Sequence, residues 1–237
     1  MIKISGQNYL SLDSYLDIVK FDTIIDDIIL GIAKSRYAAG PTNTGPGYLD
    51  KTKKSVVDIY REILDDSDNQ YHSLIKGLKN WEPFTFIQYK WPSHVLGQCL
   101  ILRSSGLGSY DSKDDKDKCI DYPIKSNFQS LLDYIDSQEI FASIGRIVIF
   151  LNEPGSNTIE HRDYADGISR NDEFIWICPL QNKRFYVRDD YEKTYVESKF
   201  CYFDSANIHG SDPVQHNTFS IRIDGKFSEI FKSRVGL

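Results

Sequence analysis

The sequence predicts a mainly β protein with α-helices, a single domain in which an N-terminal helical and mixed half supports a C-terminal β sandwich or barrel. Three observations lead there. From Arg146 onward nearly every apolar stretch has strand length and is bounded by Gly, Pro, Asn or Asp. Before it, Ile24, Ile25, Ile28, Ile29 and Ile32 recur at helical spacing. No internal repeat and no linker divides the 237 residues. The expected division within that one domain is therefore a helical and mixed half over 1–145 and a β core over 146–227.

Taken in order, Ile2 to Ile4 reads as a strand and Tyr15 to Val19 as a short helix. The isoleucine-rich helix starts after Asp22, a candidate N-cap, and stops at Ala39-Gly40-Pro41. A loop over 41–47 leads to a second amphipathic helix carrying Val56, Val57, Tyr60, Ile63 and Leu64 on one face. Strands are predicted over 84–89 and 98–102, then a solvated loop from Ser104 to Lys118. Ser126 to Gln129 has capping-box spacing, and Phe128, Leu131, Leu132 and Ile135 carry a helix to about Gln138. Six strands are predicted after that, over 146–151, 158–162, 173–178, 184–188, 194–203 and 217–224. The apolar faces of the helices need a cover, and a sheet is the natural one.

Composition narrows the function classes. The net charge of −6 argues against a broad phosphate-binding surface, so no nucleic-acid partner is expected. No apolar run approaches a membrane span. Cys99, Cys119, Cys178 and Cys201 form no CxxC pair and read as reduced thiols. With no apolar signal segment at the N-terminus, a cytoplasmic location is expected.

The chemistry gathers in Arg146–Asp163, RIVIFLNEPGSNTIEHRD. In an extended chain residues i and i+2 share a face, so His161 and Asp163 can converge while Arg162 points away. An imidazole and a carboxylate are good ligands for a divalent metal. A His from another strand would complete the 2-His-1-carboxylate triad of non-haem Fe(II) oxygenases, and His209 is offered at the exit of the aromatic strand Phe200–Phe203. His72, His94 and His216 have no ligand partner at useful spacing. Downstream, alternation sets Phe219, Ile221 and Ile223 on one face and Ser220, Arg222 and Asp224 on the other. If the apolar face meets the helices, Arg222 enters the barrel, where a buried guanidinium needs an anion.

These residues carry a resemblance. FLNEPGSNTIEHRDY, the Cys178-Pro179-Leu180 strand end, Phe203-Asp204 before His209, and Ile221-Arg222-Ile223-Asp224 together resemble the Fe(II)/2-oxoglutarate-dependent dioxygenases, within them the aspartyl/asparaginyl β-hydroxylase-like group. The resemblance covers about a third of the chain, from Arg146 to about Phe227. It implies a double-stranded β-helix (jelly-roll) core with the N-terminal helices packed outside. It implies His161, Asp163 and His209 as iron ligands, with 2-oxoglutarate and O2 as co-reactants. It implies Arg222 as the anchor of the distal carboxylate of 2-oxoglutarate, with Ser220 beside it. Where similar hydroxylases carry Arg and His before the Pro-Leu, this chain has Ile175 and Ile177, so Arg184, Arg188 or Ser220 is expected in that place. The implied reaction is hydroxylation of an unactivated C–H of a small amino-acid-like or peptidyl substrate, with succinate and CO2 released. Trp176, Arg184, Arg188 and the loops at 37–50 and 104–122 are candidate substrate contacts. The Ile pair before Pro179 also fits an alternative, a jelly roll that binds a metal or ligand without catalysis.

Overall fold

A computed structural model describes residues 8–39, 98–104, 119–152, 154–163, 172–188 and 192–237. The predicted helix at 56–64, the strands at 2–4 and 84–89, the loop at 41–47, most of the 104–122 loop, His72 and His94 lie outside the described residues. In chain order the strands are β1 (Leu10–Ser11), β2 (Gln98–Ser104), β3 (Ile120–Asp121), β4 (Phe141–Asn152), β5 (Phe174–Ile177), β6 (Phe185–Arg188), β7 (Lys193–Tyr195), β8 (Phe200–Tyr202), β9 (Ile208–Ser211) and β10 (Thr218–Phe227). The helices are α1 (Ile18–Asp22), α2 (Ile25–Ala39), α3 (Gln129–Ser137) and α4 (Glu229–Val235).

The strands form two antiparallel sheets. One has the order β1-β8-β5-β10-β4-β2-β3 and the other β7-β6-β9. At the centre of the larger sheet β10 lies between β4 and β5, with Arg222 opposite Val148 on one side and Trp176 on the other. Directly paired residues share a face. One face of this sheet therefore carries Ile147, Ile149, Ile175, Ile177, Phe219, Ile221 and Ile223, all fully buried. They pack in one core with Phe21 of α1, Ile28, Ile29 and Ile32 of α2, and Leu131 and Ile135 of α3. Phe21, Tyr134 and Phe200 meet edge-on and tilted at 4.6–5.9 Å between ring centres, locking helices to sheet. The other face carries Ser220, Arg222 and Asp224 and looks toward the small sheet. There Trp176 of β5 stacks on Phe185 of β6 at 4.8 Å, and Phe203 and His209 close the aromatic layer.

Some predicted elements are redrawn. Ser126 does not cap a helix: Pro123 starts a 3-10 helix that runs to Phe128, so Ser126 lies inside it and α3 begins without a side-chain cap. Asp22 ends α1 rather than opening α2, and the capping carboxylate of this region is Asp17, which accepts from the Lys20 amide. The predicted strand at 194–203 is two, β7 and β8, in different sheets. His209 accordingly does not end the aromatic strand. The turn at Asp204–Asn207 intervenes, and His209 sits on its own strand, β9. Cys119, Cys178 and Cys201 are buried free thiols. Among the described residues no helix is long and apolar enough to cross a membrane.

Candidate metal centre

The segment from Gly155 to Asp163 runs beside β9 without becoming a regular strand. Thr158 accepts from the Ser211 amide, His161 and His209 exchange both backbone hydrogen bonds at 2.9 and 3.0 Å, and the Asp163 amide donates to Ser205. Between Thr158 and His161 the chain spends one more residue than β9 does between His209 and Ser211, so the register slips and only a single bridge forms. That bridge nonetheless sets the two imidazoles side by side, 4.4 Å between ring centres.

Both rings are oriented from behind. His161 Nδ1 lies 2.7 Å from the Ile159 carbonyl and His209 Nδ1 lies 2.9 Å from the Asn207 carbonyl. A carbonyl accepts only, so each Nδ1 carries a proton, and in the neutral ring each Nε2 presents its lone pair toward Asp163. Both Nε2 atoms stand 3.6 Å from the same oxygen, Asp163 Oδ1. One ligand atom from each of His161, Asp163 and His209 lies within 4.8 Å of the others, close enough to share a metal ion. Two neutral nitrogens and one carboxylate suit a divalent first-row metal and leave coordination positions open.

Asp163 Oδ2 is held by Arg222 Nη1 at 2.6 Å. Arg222 Nε binds Asp224 at 2.8 Å, Arg146 Nε binds the other oxygen of Asp224 at 2.9 Å, and Asp172 lies 3.9 Å from Arg222 Nη2. The guanidinium also lies over the Phe174 ring at 3.9 Å. Burial raises the Asp163 carboxyl, but Arg222 and the two imidazoles outweigh it and hold the group far below the ordinary carboxylate range. The Asp163 carboxylate beside it raises His161, against partial burial. His209 is lowered, because burial outweighs the same carboxylate. The buried His209 is therefore already in the neutral form a metal requires.

Trp176 lines the small cavity over these ligands together with Asn152, Thr158, Phe185 and Arg222. Arg188 of β6 pairs with Glu160 at 2.8 Å, next to His161. Arg184 stands apart, exposed at the edge of the small sheet, paired with Asp212 and stacked on Tyr195. His216 is exposed. Ser220 is fully buried and accepts from Lys183 Nζ at 3.2 Å. Sequence reasoning missed Lys183, which sits beside Arg184 at the start of a strand and reads as solvated. It also missed Arg146 and Asp224 as a pair, although the period of two along β4 and β10 would have put both on the inner face. A larger open groove of ≈ 880 Å³ runs along α3 and β4, lined by Arg103, Asp121 and Lys125. Asp121 binds both cations there, and no set of metal ligands converges in it among the described residues.

No protein-family model matches the chain. No curated protein matches it. Among solved structures it is similar to a 2OG-Fe(II) oxygenase family oxidoreductase from Burkholderia pseudomallei, at 14% identity and a TM-score of 0.32 over 44% of this chain and 59% of that one. It is similar to a prolyl-4-hydroxylase from Pseudomonas putida, at 13% identity and a TM-score of 0.28 over 43% of this chain and 59% of that one. It is also similar to a viral collagen prolyl hydroxylase from Paramecium Bursaria Chlorella virus-1, at 10% identity and a TM-score of 0.36 over 92% and 96% of the two chains. The chain spans about three fifths of the length of the first two.

Proposed function

We propose that the chain is an Fe(II)- and 2-oxoglutarate-dependent dioxygenase on a double-stranded β-helix core. It hydroxylates an unactivated C–H bond of a small amino-acid-like or peptidyl substrate and releases succinate and CO2. The observation that carries this reading is the convergence of His161 Nε2, His209 Nε2 and Asp163 Oδ1, with each Nδ1 tied to a backbone carbonyl. His161, Asp163 and His209 hold the iron, and the iron, with 2-oxoglutarate and O2, supplies the oxidising power that no side chain has. The protein contributes orientation. Arg222 keeps Asp163 ionised and turned so that Oδ1 faces the two imidazoles. Phe185 and Phe203, packed against His209, exclude water from the buried side. His161 is a third exposed, so substrate enters on its side. Trp176 and the Arg188–Glu160 pair are the nearest candidates to contact it.

The rival reading, a non-catalytic jelly roll, drew on Ile175 and Ile177. Both are fully buried and pair with Ile223 and Ile221 on the helix-facing side of the sheet. Side chains at those positions cannot reach the metal ligands, so their apolar character says nothing against catalysis.

The test is anaerobic reconstitution with Fe(II) and 2-oxoglutarate, admission of O2, and a mass-spectrometric screen of amino acids and peptides for gain of one oxygen atom. Hydroxylated product from the wild type and none from His209→Ala is the expected result. No oxygenated product and no 2-oxoglutarate consumption from metal-loaded wild type would return the reading to the binding protein.

A further inference from the structure

Lys183 is 3% exposed, and no carboxylate among the described residues lies within ion-pair reach of it. Its ammonium donates to Asn152 Oδ1 at 2.8 Å and to Ser220 Oγ at 3.2 Å, and stands 5.4 Å from the centre of the Trp176 ring. Asn152 and Trp176 both line the cavity over the metal ligands. A buried ammonium surrounded only by neutral groups is costly. With two donors used, its third N–H is left to offer. Burial lowers its pKa to about 8, opposed only by the Cys178 thiol.

Arg222 is the opposite case. Three carboxylates, Asp163, Asp172 and Asp224, surround its guanidinium, and the one other arginine of the cluster, Arg146, is tied to Asp224. The chain itself thus supplies carboxylates that balance Arg222, and only its Nη2, 3.9 Å from Asp172, makes no hydrogen bond. Another carboxylate brought there would meet three carboxylates already in place, whereas one brought to Lys183 would meet an ammonium with no carboxylate partner among the described residues. Ser220 and Arg222 are successive inner-face residues of β10, so the lysine site lies about 7 Å along the strand from the residue that holds Asp163.

Resting on the reading of the site as 2-oxoglutarate-dependent, we infer that Lys183, with Asn152 and Ser220, forms the anion site that binds the distal carboxylate of the keto acid, and that Arg222 is a positioning residue for Asp163 instead of the cosubstrate anchor. On this inference Ser220 shares the cosubstrate site and Arg222 stands outside it.

Calorimetric titration with Mn(II) as a redox-silent metal tests this, using 2-oxoglutarate and 2-oxobutyrate, which has the same keto-acid end and no distal carboxylate. The wild type should prefer 2-oxoglutarate. Lys183→Met should bind Mn(II) as the wild type does, lose roughly 30-fold or more in affinity for 2-oxoglutarate, and bind 2-oxobutyrate unchanged. Asn152→Asp keeps the lysine but gives it an internal carboxylate, and should produce the same selective loss. It serves as the independent variant should Lys183→Met not fold. A variant that folds, binds Mn(II) and retains the wild-type preference for 2-oxoglutarate overturns the assignment while leaving the proposed function standing. Wild-type protein that binds Mn(II) and neither oxoacid sinks the proposed function itself, and this inference with it.

Discussion

At the scale of single residues, the site is decided by which buried charges have partners. Asp163 is held ionised by Arg222, and its Oδ1 faces two imidazole nitrogens, so His161→Ala, Asp163→Ala and His209→Ala should each abolish stoichiometric Mn(II) binding in calorimetry, while His216→Ala, exposed and outside the ligand group, should not. The two buried cations predict stability changes of opposite sign. Arg222→Met strands carboxylates in the interior and should cost about 3–5 kcal/mol in urea unfolding. Lys183→Met removes a charge whose burial lowers its pKa from 10.5 to about 8, a penalty on the order of 3 kcal/mol. Losing the hydrogen bonds to Asn152 and Ser220 takes back about 1–2 kcal/mol, so a small net stabilisation of the ligand-free protein is expected. A folded pKa below the unfolded one means that the penalty is full below about pH 8 and fades as pH rises toward 10.5, so the stabilisation should vanish in that window. The same titration acts on the ligand: 2-oxoglutarate affinity should be flat below about pH 8 and weaken by up to about tenfold per pH unit above it, as the ammonium loses its charge. Titrations between pH 6.5 and 9.5 read this directly, and a flat profile would show that Lys183 does not face the anion. The pairing of His161 with Asp163 was legible because an i, i+2 pattern is local, whereas His209, expected at a strand exit, in fact lies inside β9, after the Asp204–Asn207 turn. Lys183 was not legible, because its meaning lies in Asn152 and Ser220, far apart in sequence and joined only by the pairing of β4 with β10.

At the scale of elements, β10 explains how one strand serves core and site together. Its odd-numbered residues Phe219, Ile221 and Ile223 pack toward the helices, and its even-numbered residues Ser220, Arg222 and Asp224 supply the polar face. That alternation was readable from sequence, as were the buried runs of β4 and β5. The segment at 158–162 has strand length, but the extra residue against β9 prevents a ladder and leaves a single His161–His209 bridge, flanked by separate hydrogen bonds of Thr158 to Ser211 and Asp163 to Ser205. Gly210 makes this approach possible: a Cβ there would lie 3.0 Å from the Thr158 carbonyl oxygen and 3.0 Å from the Tyr186 hydroxyl. Gly210→Ala should push the 154–163 segment away from β9, cost about 1–3 kcal/mol, and weaken Mn(II) binding while leaving the far-side helical core intact. Near-ultraviolet circular dichroism and metal titration of the variant check this, and unchanged Mn(II) affinity would show that the segment's seating does not set the ligand geometry.

At the scale of the molecule, the larger sheet divides the protein into a dry side, where α1, α2 and α3 cover the aliphatic face, and a functional side, where the small sheet covers the charged face. The mainly β character and the helical cover were predictable from hydrophobic period alone. The separation of β7 and β8 into different sheets was missed, although Glu197-Ser198-Lys199 breaks the apolar pattern between them, because a polar break alone does not say that the chain changes sheet. Burial raises the pKa of both Cys178 and Cys201, and the thiols are free, so mass spectrometry of the native protein without reductant should find neither in a disulfide. The proposed function comes down to one claim, that His161, Asp163 and His209 hold an iron that turns over 2-oxoglutarate. The direct measurement is succinate formed from 2-oxoglutarate by Fe(II)-loaded protein in the presence of O2. Metal-dependent succinate release by the wild type and its loss in Asp163→Ala are the expected results. Succinate release that persists undiminished in folded Asp163→Ala, or none from a wild type shown to bind both metal and 2-oxoglutarate, would contradict the claim.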